Sequence, residues 1–458
     1  MGKIFKIKLT PIQIILLGFL GVIFIGALLL KIPFCTVKGE ETSFLTALFT
    51  STTSICVTGL VVVDTYSHWT ILGKIIILIL IQIGGFGVIT FYSITMLMMH
   101  KRFSLKLRLL VQEYYNLDSI QGLIVFMKKV IYGTLIAEGI GAVLYSFIFI
   151  PQFGIIKGLG ISIFNAVSAF CNAGMDIIGP NSLINYQTNI PINVITMTLI
   201  VVGGIGYVVW FDVINTAKKL WSKKIISPFS LYKKLNEHSR LVINITIVLI
   251  ISGALLILIL EYNNPATIGN MSIGNKIMAS LFQSITLRTA GFATIPQESL
   301  NSSSCIVGLI YMFIGGSPVG TAGGVKTVTM FMIVLNAISY IRGRDEVVIF
   351  SRSVSHEMIN KASAIVTVSV CVSFLFTVML IANSHVRALS AAYEIISATG
   401  TVGLSLALTP TLNAAGRLIV IFSMFLGRIG PISMALFFTV NRPDKNDINY
   451  AKGHYIIG

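Results

Sequence analysis

Four short segments of this 458-residue chain end in the same small-x-Gly turn: Val57-Thr58-Gly59, Asn172-Ala173-Gly174, Thr289-Ala290-Gly291 and Thr401-Val402-Gly403. Their glycines lie 115, 117 and 112 residues apart. One such turn would be an ordinary packed loop. Four at near-equal spacing point to a ring of backbone carbonyls about a single axis. The chemistry that suits such a ring is cation coordination, because a dehydrating ion needs several oxygens at once. Glycine lets the chain turn its C=O groups inward, having no Cβ to obstruct positive φ. Gly59, Gly174, Gly291 and Gly403 are the expected pivots, and the carbonyls of the two residues before each are the expected co-ligands. Potassium is favoured by the number and field strength of such carbonyls. Three of the four turns depart from the TVGYG pattern of potassium channels, so fewer tight ion sites are expected than in a tetrameric channel.

A second landmark follows each turn glycine by 25, 29, 24 and 24 residues: Gly84-Gly85-Phe86-Gly87, Gly203-Gly204-Ile205-Gly206, Gly315-Gly316-Ser317-Pro318 and Gly427-Arg428-Ile429-Gly430. In the third unit it extends into GGSPVGTAGG, residues 315–324. There Gly315, Gly316, Ser317, Pro318, Gly320, Thr321, Gly323 and Gly324 are expected to break the span into two half-helices joined by an intramembrane loop, read as a gate below the ring. No other unit is expected to be interrupted comparably. Arg428 stands where the other units carry Gly85, Gly204 and Gly316. A guanidinium in an apolar span faces a wet cavity or a partner, and here it would restrain cation flux, pair with carbonyls of the loop, or both. Lys326 fits a gating role or a snorkelling anchor equally. Arg288 and Glu394 are read as braces behind the ring, and Asp176 as a candidate charge at its mouth.

The elements that hold these residues follow from apolar length. The chain is 55% hydrophobic and 11% charged, with mean hydropathy +0.88, against roughly 25% charged in soluble domains. Runs such as 12–30, 75–97 and 241–260 are long enough to cross hydrocarbon. The short segments 43–56, 159–171, 275–288 and 388–400 are not: a helix of about 13 residues spans roughly 20 Å of a core of about 30 Å. Each must dip in and return, its C-terminal partial negative charge aimed at the ion. The predicted fold is all-α and integral to the membrane: four parallel span–pore-helix–span repeats around a central pore, eight full spans plus four re-entrant half-helices. The repeats cover 9–100, 125–216, 240–340 and 361–441, with 442–458 a tail.

Net charge is +16, and 23 of 33 Lys and Arg fall in five stretches on one side of the alternating spans. That pattern places both termini in the cytoplasm and assigns the basic charge to orientation, not to nucleic acid. The first apolar run is read as an uncleaved span. Five scattered cysteines form neither a disulfide framework nor a zinc site. GTAGGVKT grazes the phosphate-loop pattern, but Val325 separates the glycines from Lys326 and no strand precedes it. His356-Glu357 lacks the second histidine of a zinc protease, Asn360 standing in its place. No catalytic residues are expected, and the chain is not read as an enzyme. A carrier for another small solute is the stronger rival, although it would show inverted repeats.

Together these motifs resemble the Trk/Ktr/HKT superfamily of potassium transporters over essentially the whole chain. STTSICVTGL (51–60), FNAVSAFCNAGM (164–175), FQSITLRTAGF (282–292) and SATGTVGL (397–404) look like its pore loops, GGSPVGTAGG like its intramembrane loop, and FLGRIGP (425–431) like its pore-lining arginine segment. The modest length is nearest to the membrane subunits of bacterial Ktr systems. The resemblance implies a homodimer with one pore per protomer in the bacterial plasma membrane. It implies inward potassium transport, often sodium-dependent, gated by a cytosolic ring of RCK subunits that bind ATP or ADP. It also implies a C-terminal tail at the dimer contact and potassium selectivity where the first filter residue is glycine, as Gly59 is, serine there relating to sodium transport.

Overall fold

The computed structural model describes residues 11–87, 122–224, 227–344 and 346–430. The expected tail 442–458, Pro431 and much of two basic stretches lie outside the described residues. The first unit comprises α1 (Pro11–Leu30), α2 (Phe44–Ile55) and α3 (Ile71–Phe86). The second comprises α4 (Leu123–Phe153), α5 (Ile155–Cys171), α6 (Ile190–Gly204) and α7 (Tyr207–Ser222), followed by the short α8 (Pro228–Lys234). The third has α9 (Glu237–Glu261), α10 (Ile273–Thr286), α11 (Ser302–Phe313) and α12 (Thr327–Ile341). The fourth has α13 (His356–Ser384), α14 (Ala388–Gly400) and α15 (Ala414–Ile429). Besides helices, a small hairpin pairs Val348–Ile349 with Arg352–Ser353.

Among the described residues four helices, α1, α4, α9 and α13, are long and apolar enough to cross a membrane, or five with the bent pair α6–α7 counted as one span. Burial runs inside out. Phe147 on α4 and Phe374 on α13 are 73% and 70% exposed, whereas Ser51, Thr52, Thr53 and Ser54 on α2 are fully buried. Such a surface suits hydrocarbon outside and a polar axis within.

The helices that follow the turns are shorter than a span. α3, α6, α11 and α15 have 16, 15, 12 and 16 residues, and each stops at its small-residue cluster. Gly87, Gly206 and Gly430 end or break the helix in one backbone state, with φ/ψ of 81/139°, 95/139° and 93/135°. In the third unit Pro318 occupies that place, and its ring holds φ negative. The chain there detours through 314–326 before α12 begins. Interruption is therefore not confined to the third unit, contrary to the sequence expectation: α6 and α7 meet at 99° across Ile205-Gly206.

Polar start signals set the register. Thr70, Asn189 and Asn413 cap α3, α6 and α15, accepting from the backbone N–H three residues on at 3.3, 3.1 and 2.7 Å. The short helices pack closely on the long ones: Ser51 Oγ donates to Ile23 O at 2.7 Å beside Gly26, and Ser284 Oγ to Ile250 O at 2.8 Å beside Gly253. Gly84, Gly203 and Gly427 lie against the terminal carbonyls of Ile55, Phe170 and Thr399, where a side chain would collide.

Candidate ion pathway

The four turns meet in cyclic order. A Cβ added to Gly59 would lie 2.5 Å from Ala173 O, one on Gly174 2.7 Å from Ala290 O, and one on Gly291 2.6 Å from Val402 O. One on Gly403 would strike Thr58 O, which closes the ring on the first unit. Each glycine is thus required twice: its own φ is positive, at 94, 64, 79 and 95° in chain order, and the next turn's carbonyl fills the space a side chain would take.

The first residue of each turn is left-handed too. Val57, Asn172, Thr289 and Thr401 have φ of 54, 60, 65 and 52°, while the residue between each and its glycine keeps the ordinary sign. The sign of φ therefore alternates along each turn, as it does in backbone nests. Val57, Thr289 and Thr401 are β-branched, for which positive φ is a genuine outlier costing about 1–3 kcal/mol each. Such strain persists only where the surroundings over-determine it.

Those surroundings are the short helices. The middle residues Thr58, Ala173 and Val402 donate their N–H to Thr53 O, Ser168 O and Ser397 O, each at 2.8 Å. The hydroxyls of Thr53, Ser168 and Ser397 accept from Gly59 N, Met175 N and Gly403 N at 2.9, 3.1 and 3.0 Å. In the third turn Ala290 N donates to Thr286 O at 3.0 Å, and Thr286 Oγ1 donates to Phe292 O at 2.6 Å. The middle N–H of every turn is thus tied back into its own short helix, and its carbonyl takes no part in those bonds. Each turn also carries one buried side-chain oxygen without a hydrogen-bond partner: Thr58 Oγ1, Asn172 Oδ1, Thr289 Oγ1 and Thr401 Oγ1. Buried oxygens left unpaired in all four turns are hard donors, the chemistry that an alkali cation or an ordered water satisfies.

Directly against this ring lies the loop 314–326. Thr321 Oγ1 donates to Phe170 O at 3.1 Å and accepts from Asn172 Nδ2 at 3.4 Å, and Gly323 abuts Thr401 Oγ1. The break in α6 frees the carbonyls that hold the loop: Gly204 O accepts from Ser317 N at 3.0 Å and Gly203 O from Thr321 N at 3.2 Å. Tyr207 N returns the contact to Val319 O at 3.0 Å. Inside the loop Gly315 N donates to Val325 O at 2.9 Å, Gly316 N to Gly323 O at 3.3 Å, and Gly316 O accepts from Thr327 N at 3.0 Å. Gly324 takes φ of 66°, Pro318 O sits over Gly206, and Gly320 passes the Gly203 and Gly204 carbonyls. Arg428 Nη1 donates to Thr321 O at 2.6 Å and Nη2 to Gly84 O at 2.5 Å, pinning the loop to the first unit. Lys326 Nζ folds back onto Ala322 O at 2.7 Å. Loop, arginine and ring form one contiguous assembly.

The profile of the TrkH family, described as a cation transport protein, matches residues 10–450. The chain belongs to the TrkH family. It is 37% identical to the Ktr system potassium uptake protein B of Bacillus subtilis, covering 100% of this chain and 99% of that protein. It is 34% identical to the potassium/sodium uptake protein NtpJ of Enterococcus hirae, with 98% and 97% covered. A crystal structure of the potassium transporter TrkH from Vibrio parahaemolyticus shares the fold, with a TM-score of 0.74 at 18% identity over 96% of this chain and 87% of that one. These relatives are transport proteins, which leaves no place for the enzyme reading.

In this TrkH-family chain the buried acids Glu394 and Asp176 are engaged locally. Glu394 is fully buried and accepts from Ser405 Oγ at 2.6 Å and from Thr409 Oγ1, bracing its own turn. Asp176 is 9% exposed and bound to Ile178 N at 3.4 Å and to Ser182, so it folds into its loop instead of standing free at the mouth. Arg288 is 8% exposed, and its Nε lacks an acceptor. Sequence reasoning overlooked Glu138, a 5% exposed acid within α4 that accepts from Gln82 Nε2 at 3.1 Å and from Cys171 Sγ at 3.6 Å. Its signal was available as a lone carboxylate in an apolar run. Also overlooked were Thr53, Ser168 and Ser397, whose signal is a hydroxyl six positions before the turn glycine.

Proposed function

We propose that the chain is the ion-translocating membrane subunit of a bacterial potassium uptake system, with Val57–Gly59, Asn172–Gly174, Thr289–Gly291 and Thr401–Gly403 as its selectivity filter. The observation that carries this reading is the closed cyclic contact of the four glycines with their neighbours' carbonyls, Gly59 to Ala173 and so on to Gly403 and Thr58. The names of the Bacillus subtilis and Enterococcus hirae relatives supply potassium as the cargo. Cations pass along the carbonyl face of the ring and meet the 314–326 loop as a gate, held shut by Arg428. In this reading the protein is a homodimer in the plasma membrane with both termini in the cytoplasm. A cytosolic RCK ring that binds ATP or ADP moves the gate, and sodium stimulates uptake.

The experiment is uptake of labelled rubidium into proteoliposomes holding the purified full chain, in competition with potassium and sodium. Potassium should suppress uptake far more effectively than sodium, and Gly59→Ser should erase the difference. Equal suppression by both ions in the wild type would refute a potassium filter. That outcome would instead support a second reading, a sodium-conducting member of the family, which the potassium/sodium name of the Enterococcus hirae relative favours.

A further inference from the structure

The segment that clamps the gate continues directly into a cationic amphipathic helix. α7 leaves α6 at 99°, so if α6 crosses the membrane, α7 runs nearly parallel to its plane. The bend is fixed: Trp210 Nε1 donates back to Val202 O at 2.8 Å, and Gly206 holds the positive φ the corner demands. One stripe of α7 points away from the protein, with Ile214 45% and Trp221 74% exposed. α8 adds Phe229, 66% exposed, with Lys233 Nζ 4.4 Å from its ring centre.

The exposed charges at the C-terminal end of α7 are basic. Lys218, Lys219, Lys223 and Lys224 are all exposed, whereas the acid of α7, Asp212, is occupied by Asn236, whose N and Nδ2 donate to it at 2.9 and 3.0 Å. A helix in the membrane plane that joins an indole to flanking lysines is the pattern that settles at the headgroup level of an acidic leaflet.

We infer that α7 and its C-terminal lysines bind anionic lipid headgroups on the cytoplasmic leaflet, and that this binding holds the gate loop through residues 203–207. The inference rests on the proposed topology and pore. The mechanical link is short. The first residue of α7, Tyr207, donates to Val319 O, and the two residues before the corner accept from Ser317 and Thr321. A shift of α7 against the membrane therefore reaches the loop without passing through side-chain packing. Lipid charge acts on the equilibrium of the loop only if the two loop positions bind headgroups unequally.

The test uses the full chain, without any cytosolic subunit, in vesicles of phosphatidylcholine with rising fractions of phosphatidylglycerol. Rubidium flux should change roughly fivefold or more across the series. The quadruple variant K218Q/K219Q/K223Q/K224Q should flatten that response while retaining the wild-type flux in pure phosphatidylcholine. Quenching of tryptophan emission by lipids brominated on the upper acyl chain should be strong in the wild type and largely lost in W221F. A wild-type flux indifferent to phosphatidylglycerol, an unflattened response in the quadruple variant, or equal quenching in W221F would each overturn the inference. So would a surface that is unquenched in vesicles yet shielded by a soluble partner, since α7 would then be a protein-docking face. Absence of flux at every lipid composition, with quenching intact, would count against the pore reading and not against lipid binding.

Discussion

Arg428 Nη1 lies 2.6 Å from the carbonyl oxygen of Thr321, a residue 107 positions earlier whose own hydroxyl touches the second turn of the ring. A single guanidinium thus joins the fourth unit to the loop of the third, and through Gly84 to the first. A guanidinium among apolar helices is stable only with such acceptors, and the loop is ordered by the same contacts.

Removing that charge should loosen the loop. Arg428→Gln is expected to raise rubidium flux about tenfold, the equivalent of about 1.4 kcal/mol, with little change in ion preference because no filter carbonyl is touched. Flux and competition assays on the same vesicles check both halves.

The hydroxyl behind the first turn should act on selectivity. Thr53→Val is isosteric but leaves Gly59 N–H without its 2.9 Å acceptor, a loss of about 1–3 kcal/mol for a buried donor. Discrimination of potassium from sodium should fall while the folded yield persists. Ion competition together with size-exclusion profiles reports the outcome.

The corner glycine should be intolerant. Gly206→Ala places a Cβ at φ of 95° against Pro318 O, and the backbone strain alone costs of order 1–3 kcal/mol. A lower melting temperature in detergent, accompanied by raised basal flux, is expected, because the clamp on the loop is built from the adjacent carbonyls.

Glu138 should prove structural glue between the first two units. Glu138→Leu strands the Gln82 amide and should cost about 2 kcal/mol, whereas Glu138→Gln, which keeps an acceptor oxygen, should cost less. Thermal unfolding followed by intrinsic fluorescence ranks the two variants.

Much of this architecture was legible because hydrocarbon imposes simple rules. Apolar length marked the long helices, and Gly59, Gly174, Gly291 and Gly403 stood out because positive φ leaves few alternatives to glycine. The short helices were placed to within a few residues, α5 starting at Ile155 where 159 was expected, since pattern fixes existence better than boundaries. The break in α6 was not read, although Gly206 carried it: a glycine in an apolar span looks the same whether it packs against a carbonyl, as Gly203 does, or turns a corner. Val57, Thr289 and Thr401 gave no hint of left-handed backbone, because β-branched residues disfavour it and only the hydrogen bonds around them impose it.

By itself the sequence determined the apolar spans, the four recurrent turns and the chemistry available to them, all properties of single residues and their spacing. The tertiary structure decided which carbonyl faces which glycine, where Arg428 finds its acceptors, and that the clamp on the loop comes from the second unit. Those are contacts between segments more than 100 residues apart, as between Arg428 and Thr321. Spacing along a chain cannot specify them, because they depend on how the helices close around the axis.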